Sequence, residues 1–368
     1  MLVFAGGGTG GHLYPALAIA DEVRKQAAGA RVIFVGTKDK IEARVVPERG
    51  YTFVPIWIAG FRRRVRWDSL AFPIKVLVAL YQSMMILKRE RPDVVVGTGG
   101  YVCAPVGLAA ALLGVPLVVQ EQNSVPGMTI RMLAKKAQEV HLTFASSKRY
   151  LRRTDNVVLS GNPTRAEIGQ PSRAEGAAYF GFDAGRKTLF IFGGSLGASS
   201  LNRAVIGMIG DLMTLGVQVL WQTGKQDYDL VRRTLQEHHP GMPAKAFPYI
   251  DRMEYGYAAC DLALCRAGAS TIAELTISGT PAVLVPYPHA AADHQTENAN
   301  TMVEAGAAVL CRDADLQPRL AGLLRELVAD PDRLLRMAHS ARSLGRPDAA
   351  ASIARAVITI VRRRHAGA

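Results

Sequence analysis

The sequence predicts an α/β protein of two Rossmann-like, doubly wound parallel-sheet domains facing a cleft. Three observations predict it. Continuous apolar runs of strand length (2–5, 32–35, 94–96, 117–119, 189–192, 217–221, 262–264, 282–285) alternate with helical segments, as parallel strands buried on both faces require. Several of these runs end in glycine turns. The two halves also share one plan: Val94-Val95-Val96-Gly97, a glycine turn, a helix and Gly114-Val115-Pro116 are matched by Leu262-Ala263-Leu264, Gly268, a helix and Gly279-Thr280-Pro281. With 368 residues, 49% of them hydrophobic, the chain can bury two cores. The first domain is placed at 1–160, the second at 161–345 and a closing helix at 346–368, with the hinge at Gly161-Asn162-Pro163. In such folds ligands bind beyond the carboxyl ends of the strands.

The first turn, Gly6-Gly7-Gly8-Thr9-Gly10-Gly11-His12, satisfies G-x-G-x-x-G and lets backbone N–H groups approach an anionic or hydroxyl-rich ligand. The second strand ends in Gly36-Thr37-Lys38 without the acid that a dinucleotide ribose needs, which disfavours a nicotinamide enzyme. His12 at the mouth of the turn reads either as a helix-start histidine bonded to backbone or as a general base. Residues 60–91 set apolar sequence between basic ends: Arg62, Arg63, Arg64, Arg66, Lys75, Lys88, Arg89 and Arg91 face only Asp68 and Glu90. This is either a core helix with solvated flanks or a membrane face, with Phe61, Trp67, Phe72, Ile74 and Leu77 entering the interface and Lys75 on the headgroups. The charge-free stretch 94–120 is broken by glycines and prolines and reads as strand, turn, buried helix and strand rather than a spanning helix. Glu121-Gln122-Asn123-Ser124, just past a buried strand, is a costly place for polar groups unless they bind something or each other.

In the second half, Gly193-Gly194-Ser195-Leu196-Gly197-Ala198 is again strand, turn and helix start, and its backbone donors with the Ser195 hydroxyl suit a phosphate. It lacks the Gly-Lys-Ser/Thr ending of an ATP-hydrolysing loop, and Arg165 can add a fixed positive charge. In Cys265-Arg266-Ala267-Gly268-Ala269-Ser270-Thr271-Ile272-Ala273-Glu274, the helix is expected to begin at Ser270 or Thr271. Glu274 then either closes a capping box with Thr271 or accepts hydrogen bonds from a ribose diol. Gln295, His294 and Asn298 follow a strand end and offer amide and imidazole groups to sugar hydroxyls. His289, Asp293 and His294 form no specific metal pattern. Asp313-Ala314-Asp315 reads as N-cap chemistry before a helix.

The net charge of +13 calls for an acidic partner: nucleic acid, an anionic membrane or a phosphorylated substrate. An aromatic content of 7% and the lack of a recognisable module disfavour nucleic acid. Cys103, Cys260, Cys265 and Cys311 show no paired spacing and are expected to be buried free thiols, and no secretory leader is evident.

Taken in order, Gly7-Gly8-Thr9-Gly10-Gly11-His12, Gly99-Gly100-Tyr101, Glu121-Gln122-Asn123, Gly161-Asn162-Pro163, Gly193-Gly194-Ser195-x-Gly197-Ala198, Cys265-Arg266-x-Gly268-Ala269-x-Thr271-x-x-Glu274 and Asp293-His294-Gln295-x-x-Asn298-Ala299 closely resemble glycosyltransferase family 28, in particular the N-acetylglucosaminyltransferases of peptidoglycan synthesis. The resemblance implies a glycosyltransferase B fold, an inverting transfer from UDP-N-acetylglucosamine to the muramoyl 4-hydroxyl of the polyprenyl-diphosphate acceptor lipid I, and no cofactor or metal. It also implies a peripheral position on the cytoplasmic face of the membrane, with anionic lipid and other cell-wall synthesis proteins as partners. Carried over, Thr9, Gly10, Gly11 and Asn123 reach the donor sugar. Arg165 and Ser195 hold the diphosphate, Ile250 flanks the uracil, and Ala269, Ser270, Thr271, Ile272, Ala273 and Glu274 take ribose and phosphate. Gln295, with His294 and Asn298 as alternatives, meets sugar hydroxyls, and His12 is the candidate base. Rival readings are another sugar transferase, a UDP-N-acetylglucosamine 2-epimerase and a binding protein without turnover.

Overall fold

The computed structural model describes residues 1–58 and 72–366. The chain forms two compact units, Met1–Thr164 with the C-terminal segment from Pro347, and Arg165–Arg346.

In the first unit, seven parallel strands stand in the order β3-β2-β1-β4-β5-β6-β7: β1 (Leu2–Gly6), β2 (Val32–Gly36), β3 (Thr52–Pro55), β4 (Val94–Gly99), β5 (Leu117–Glu121), β6 (Glu139–Leu142) and β7 (Val157–Leu159). Strand alternation sends Val3, Ala5, Val95 and Val119 to one face, under helices Phe72–Glu90, Cys103–Leu112 and Met128–Leu133. Leu2, Phe4, Val96 and Val118 go to the other, under helix Gly10–Gln26 and the final helix Ala349–Ala366. Ile353, Ala354, Val357 and Ile360 of that final helix belong to this core, so its apolar stripe is buried in the first unit.

The second unit repeats the plan with six parallel strands in the order β10-β9-β8-β11-β12-β13: β8 (Thr188–Phe192), β9 (Gln218–Gln222), β10 (Ala244–Phe247), β11 (Leu262–Cys265), β12 (Ala282–Leu284) and β13 (Ala308–Leu310). All eight apolar runs of the sequence are strands. The five that those runs omit (β3, β6, β7, β10 and β13) lie at or next to sheet edges. Their short, half-exposed or polar stretches lack the signature of double-sided burial. Residues 94–120 form β4, helix Cys103–Leu112 and the start of β5, and no helix of the described residues is long and apolar enough to cross a membrane. Cys103, Cys265 and Cys311 are buried, whereas Cys260 is only half-buried.

Candidate functional site

In each sheet the strand order reverses once, between β1 and β4 and between β8 and β11. Neighbouring strands there send their connections to opposite faces, leaving room for a ligand beyond their carboxyl ends. The glycine turns of the sequence sit at these points: Gly6–Gly11 from the last residue of β1, Gly99–Gly100 from the last residue of β4, Gly193–Gly197 after β8 and Gly268 after β11.

Thr9 is the N-cap of helix Gly10–Gln26 but makes no side-chain cap bond, and Gly10, Gly11 and His12 form the helix's first turn. The His12 imidazole bonds to a side chain, not to backbone: Nδ1 lies 2.9 Å from Gln122 Oε1. Thr98 Oγ1 donates to the His12 carbonyl at 2.8 Å. Gly99 and Gly100, with φ of +99° and +77°, lie against the ring, and a Cβ on Gly99 would come within 2.8 Å of Nδ1. Gln122 thus fixes the ring, Thr98 fixes the His12 backbone, and the glycine turn packs beside the imidazole.

The turn itself is fastened by Glu42, a residue that no sequence motif marks. Its buried carboxylate accepts from Gly8 N (2.9 Å), Thr37 N (3.1 Å) and Thr37 Oγ1 (2.8 Å), so three donors balance one buried charge. On the β5 side, buried Glu121 accepts from Asn123 N (2.9 Å), Asn123 Nδ2 (3.2 Å) and Gly127 N (2.9 Å), and Ser147 Oγ donates to the Asn123 carbonyl. Burial pushes the Glu121 carboxyl up, against the pull of these bonds and of His12. The polar cluster 121–124 thus largely satisfies itself, and Asn123 is half-buried beside it.

In the second unit hydrogen bonds and one charge interaction tie together several of the elements expected to hold the donor. Ser195 is exposed at the tip of its turn. Buried Gln222, which the motif reading missed, donates from Nε2 to the Gly194 carbonyl (3.1 Å) and accepts at Oε1 from the N–H of Ile250 (2.8 Å). Next to Ile250, the Asp251 carbonyl accepts from Arg165 Nη1 at 2.8 Å, and the Arg165 charge acts on Glu274. Glu274 Oε2 accepts from Tyr257 OH at 2.9 Å; burial holds its carboxyl above the usual range, and Arg165 and Tyr257 pull it back. Ile250 itself is buried.

Two expectations need correction here. Helix Ala269–Ser278 starts at Ala269 with Gly268 as N-cap and no side-chain cap bond, so there is no capping box between Thr271 and Glu274, and Glu274 stands in the second turn. The physical reason is that Gly268 adopts the extended N-cap conformation, which leaves the N–H groups of Ala269, Ser270 and Thr271 as the helix's first donors. Asp315 is the N-cap of helix Leu316–Ala329 without a side-chain cap bond, and Asp313 instead pairs with buried Arg266 at 2.6 Å and accepts from Ser200 Oγ at 2.8 Å. Arg266 also donates to the carbonyls of Val285 and Pro286, and Gln295 Oε1 accepts from Tyr287 N (2.9 Å), so both fix the loop after β12. His294 Nδ1 is 2.7 Å from the Ala291 carbonyl. Asn298 is fully buried and donates to the Ala267 carbonyl, which places it beneath the Gly268 turn. Ile272 and Ala273 are buried, while Ser270 and Thr271 are half-exposed. Among the described residues, no three His, Cys, Asp or Glu side chains cluster as a metal site.

On helix Phe72–Glu90, Ile74, Leu77, Tyr81 and Met85 recur at helical spacing and stand 60%, 66%, 65% and 50% exposed. Lys75 Nζ lies over the ring of Trp57, itself half-exposed, at 5.6 Å. The opposite side buries Ala79, Ser83, Ile86 and Leu87. The helix is thus both a core helix on one side and an exposed apolar stripe on the other. Phe61, Trp67 and the side chain of Phe72 lie outside the described residues.

The chain matches the glycosyltransferase family 28 N-terminal domain over residues 2–142 and the family 28 C-terminal domain over residues 188–353. It is 46% identical over 363 residues to the UDP-N-acetylglucosamine–N-acetylmuramyl-(pentapeptide) pyrophosphoryl-undecaprenol N-acetylglucosamine transferase of Salinibacter ruber, covering 98% of this chain and 97% of that one. It is 44% identical to the protein of the same description from Chlorobium limicola, covering 98% and 99%. Among solved structures it is similar to MurG of Acinetobacter baumannii, with a TM-score of 0.77, 30% identity and coverage of 97% and 99%.

Proposed function

The chain belongs to glycosyltransferase family 28 and transfers N-acetylglucosamine from its UDP donor to the muramoyl sugar of lipid I, forming lipid II, and we propose a division of that work between its two units. The first unit performs the proton transfer. His12 Nε2 takes the proton of the acceptor's 4-hydroxyl as that oxygen attacks the anomeric carbon and the bond to UDP breaks. A single displacement inverts the centre to a β linkage. Thr9, Gly10, Gly11 and Asn123 position the transferred sugar.

The second unit holds the leaving group. Negative charge grows on the departing UDP, and Arg165, the Ser195 turn and the N–H groups at Ala269, Ser270 and Thr271 stabilise it. Glu274 accepts hydrogen bonds from the ribose diol through the oxygen that Tyr257 does not occupy, Ile250 borders the uracil, and Gln295 with His294 meets sugar hydroxyls. The hydrogen bonds of Gln222 to Gly194 and Ile250 and of Arg165 to the Asp251 carbonyl, together with the Arg165 charge acting on Glu274, support this grouping. The observation that carries the catalytic reading is the His12 ring, clamped at Nδ1 while Nε2 makes no described hydrogen bond.

The acceptor's polyprenyl chain stays in the bilayer, so the enzyme works at the cytoplasmic membrane face. The exposed stripe Ile74, Leu77, Tyr81 and Met85, with Lys75, Lys88 and Arg89 on the same helix, is its docking face. The test is transfer of radiolabelled N-acetylglucosamine to a lipid I analogue, with and without EDTA. Transfer that survives EDTA and collapses in His12→Ala supports the scheme; a well-folded His12→Ala protein that transfers at the wild-type rate refutes the base assignment.

A further inference from the structure

A neutral imidazole carries one proton and one lone pair, and only the nitrogen with the lone pair can act as a base. Which nitrogen that is depends on what faces the other one. In this protein Gln122 Oε1 or Nε2 could face His12 Nδ1, and the surrounding backbone decides between them.

The Gln122 amide is pinned at its far side by the Thr98 carbonyl, 2.7 Å from Nε2, and also contacts the carbonyl of Gln120 at 3.5 Å. Carbonyl oxygens only accept, so the NH2 end of the amide must point there, and Oε1 is left to face His12. A second pin gives the same orientation independently. Thr143 Oγ1 donates its proton to the Glu121 carbonyl at 2.9 Å and therefore offers a lone pair to Gln120 Nε2 at 3.4 Å. Gln120 Nε2 also donates to Asn162 Oδ1 at 3.4 Å. This turns Gln120 Oε1 toward Gln122 Nε2, with which it makes a close hydrogen bond. Gln120, Gln122 and Asn162 are buried and Thr143 is half-buried against them, so water does not reorient the amides.

We propose that Gln122 is a positioning residue that holds His12 as the Nδ1–H tautomer, leaving the lone pair on Nε2 for the acceptor hydroxyl. An oxygen at Nδ1 demands a donor there. An unrestrained histidine side chain in water favours the opposite, Nε2–H tautomer, which has no lone pair where the reaction needs it. Gly99 and Gly100 serve the same end by leaving room for the ring beside the turn. The inference rests on the reading of His12 as base, and its two halves separate experimentally.

The experiment is long-range 1H–15N correlation of the full chain carrying 15N-histidine, at a pH where the imidazole is neutral. His12 is assigned as the signal set missing in His12→Ala, and steady-state kinetics are run in parallel. The wild type is expected to show Nδ1–H. Gln122→Leu shifts His12 toward Nε2–H and lowers kcat about 10- to 100-fold with the donor KM unchanged. Gln122→Glu, which presents an acceptor oxygen to Nδ1 in either protonation state, keeps Nδ1–H and recovers much of kcat. Nε2–H in the wild type overturns the tautomer assignment whatever the variants do. Nδ1–H in the wild type with full kcat in Gln122→Leu overturns its catalytic meaning, and an unimpaired His12→Ala removes the base reading beneath it.

Discussion

The two sheets share one topology and one placement of glycine turns, yet the side chains that fasten those turns differ. In the first unit the turns are held by buried acidic, amide and hydroxyl groups: Glu42 on Gly8, Thr98 and Gln122 on His12, and Glu121 on Asn123 and Gly127. In the second, Asn298 holds the Gly268 turn by its buried amide, but the Gly193–Gly197 turn is fastened mainly backbone on backbone. Gly197 and Gly224, with φ of +81° and +79°, lie so close that neither has room for a Cβ, and Gln222 adds a single bridge. A site that must orient one titratable ring needs directional bonds, whereas a site that binds phosphate mainly needs N–H groups left pointing outward. Under the proposed function, the same scaffold would serve proton transfer in one half and anion binding in the other.

If that contrast is right, mutations in the two units separate rate from affinity. The largest effect is expected for His12→Ala, which should lower kcat about 10²- to 10⁴-fold while UDP-N-acetylglucosamine binds by calorimetry as it does to the wild type. A parallel loss of donor affinity would break the division. Next come the fastenings themselves. Glu42→Ala leaves the N–H groups of Gly8 and Thr37 without their acceptor, at about 1–3 kcal/mol for each that stays dry. Gly197→Ala places a side chain at positive φ against the backbone of Thr223 and Gly224, at more than about 1 kcal/mol. Thermal unfolding should show both losses, and donor binding should suffer more in Gly197→Ala than in Glu42→Ala. Glu274→Ala comes third. It should weaken donor binding about 10- to 100-fold, the worth of a charge-assisted hydrogen bond, with a smaller change in kcat at saturating donor. Equal donor affinity would remove Glu274 from the ribose site.

The proposed membrane face belongs to the first unit. Leu77→Glu puts a charge into the exposed stripe of helix Phe72–Glu90, where the side chain touches no core, so the melting temperature should hold. Sedimentation with phosphatidylglycerol vesicles should nonetheless fall several-fold, since burying a leucine is worth about 1.5–3 kcal/mol. Unchanged sedimentation would move the docking face elsewhere.

The sequence reveals the inner strands and the loops after them because double-sided burial writes continuous apolar runs, and the tight turns between strand and helix write glycines. Edge strands such as Thr52–Pro55 and Ala244–Lys245–Ala246–Phe247 escape because one side or end is solvated. The supports of the site escape for another reason. Glu42 lies 34 residues from the N–H it accepts, in a helix whose sequence reads as ordinary surface. Gln222 left a weak trace, an amide closing an apolar strand, the same rule that marks Gln122. The capping-box spacing at Thr271 and Glu274 misleads because local pattern cannot tell which residue turns the chain, and Gly268 does so first.

The smallest effect bears on what the second unit would give up if Glu274 binds a diol. Burial raises the Glu274 carboxyl in the folded protein above its unfolded value, and the Arg165 charge and the Tyr257 bond only partly offset this. A raised carboxyl means that the native state binds more protons than the unfolded state between the two values. Stability from this group is therefore greatest at low pH and falls as pH rises from the ordinary glutamate value, about 4.3, through the raised folded one. Glu274→Gln, which keeps the shape without the charge, should lack that fall. Its stability by urea unfolding, relative to the wild type, should then rise with pH across this window while its donor affinity drops. A diol-binding carboxylate would thus be retained at the expense of the empty enzyme's stability. A variant that tracks the wild type across the window would show instead that Arg165 and Tyr257 already neutralise the burial, and that the second unit, like the first, satisfies its buried charge without the ligand.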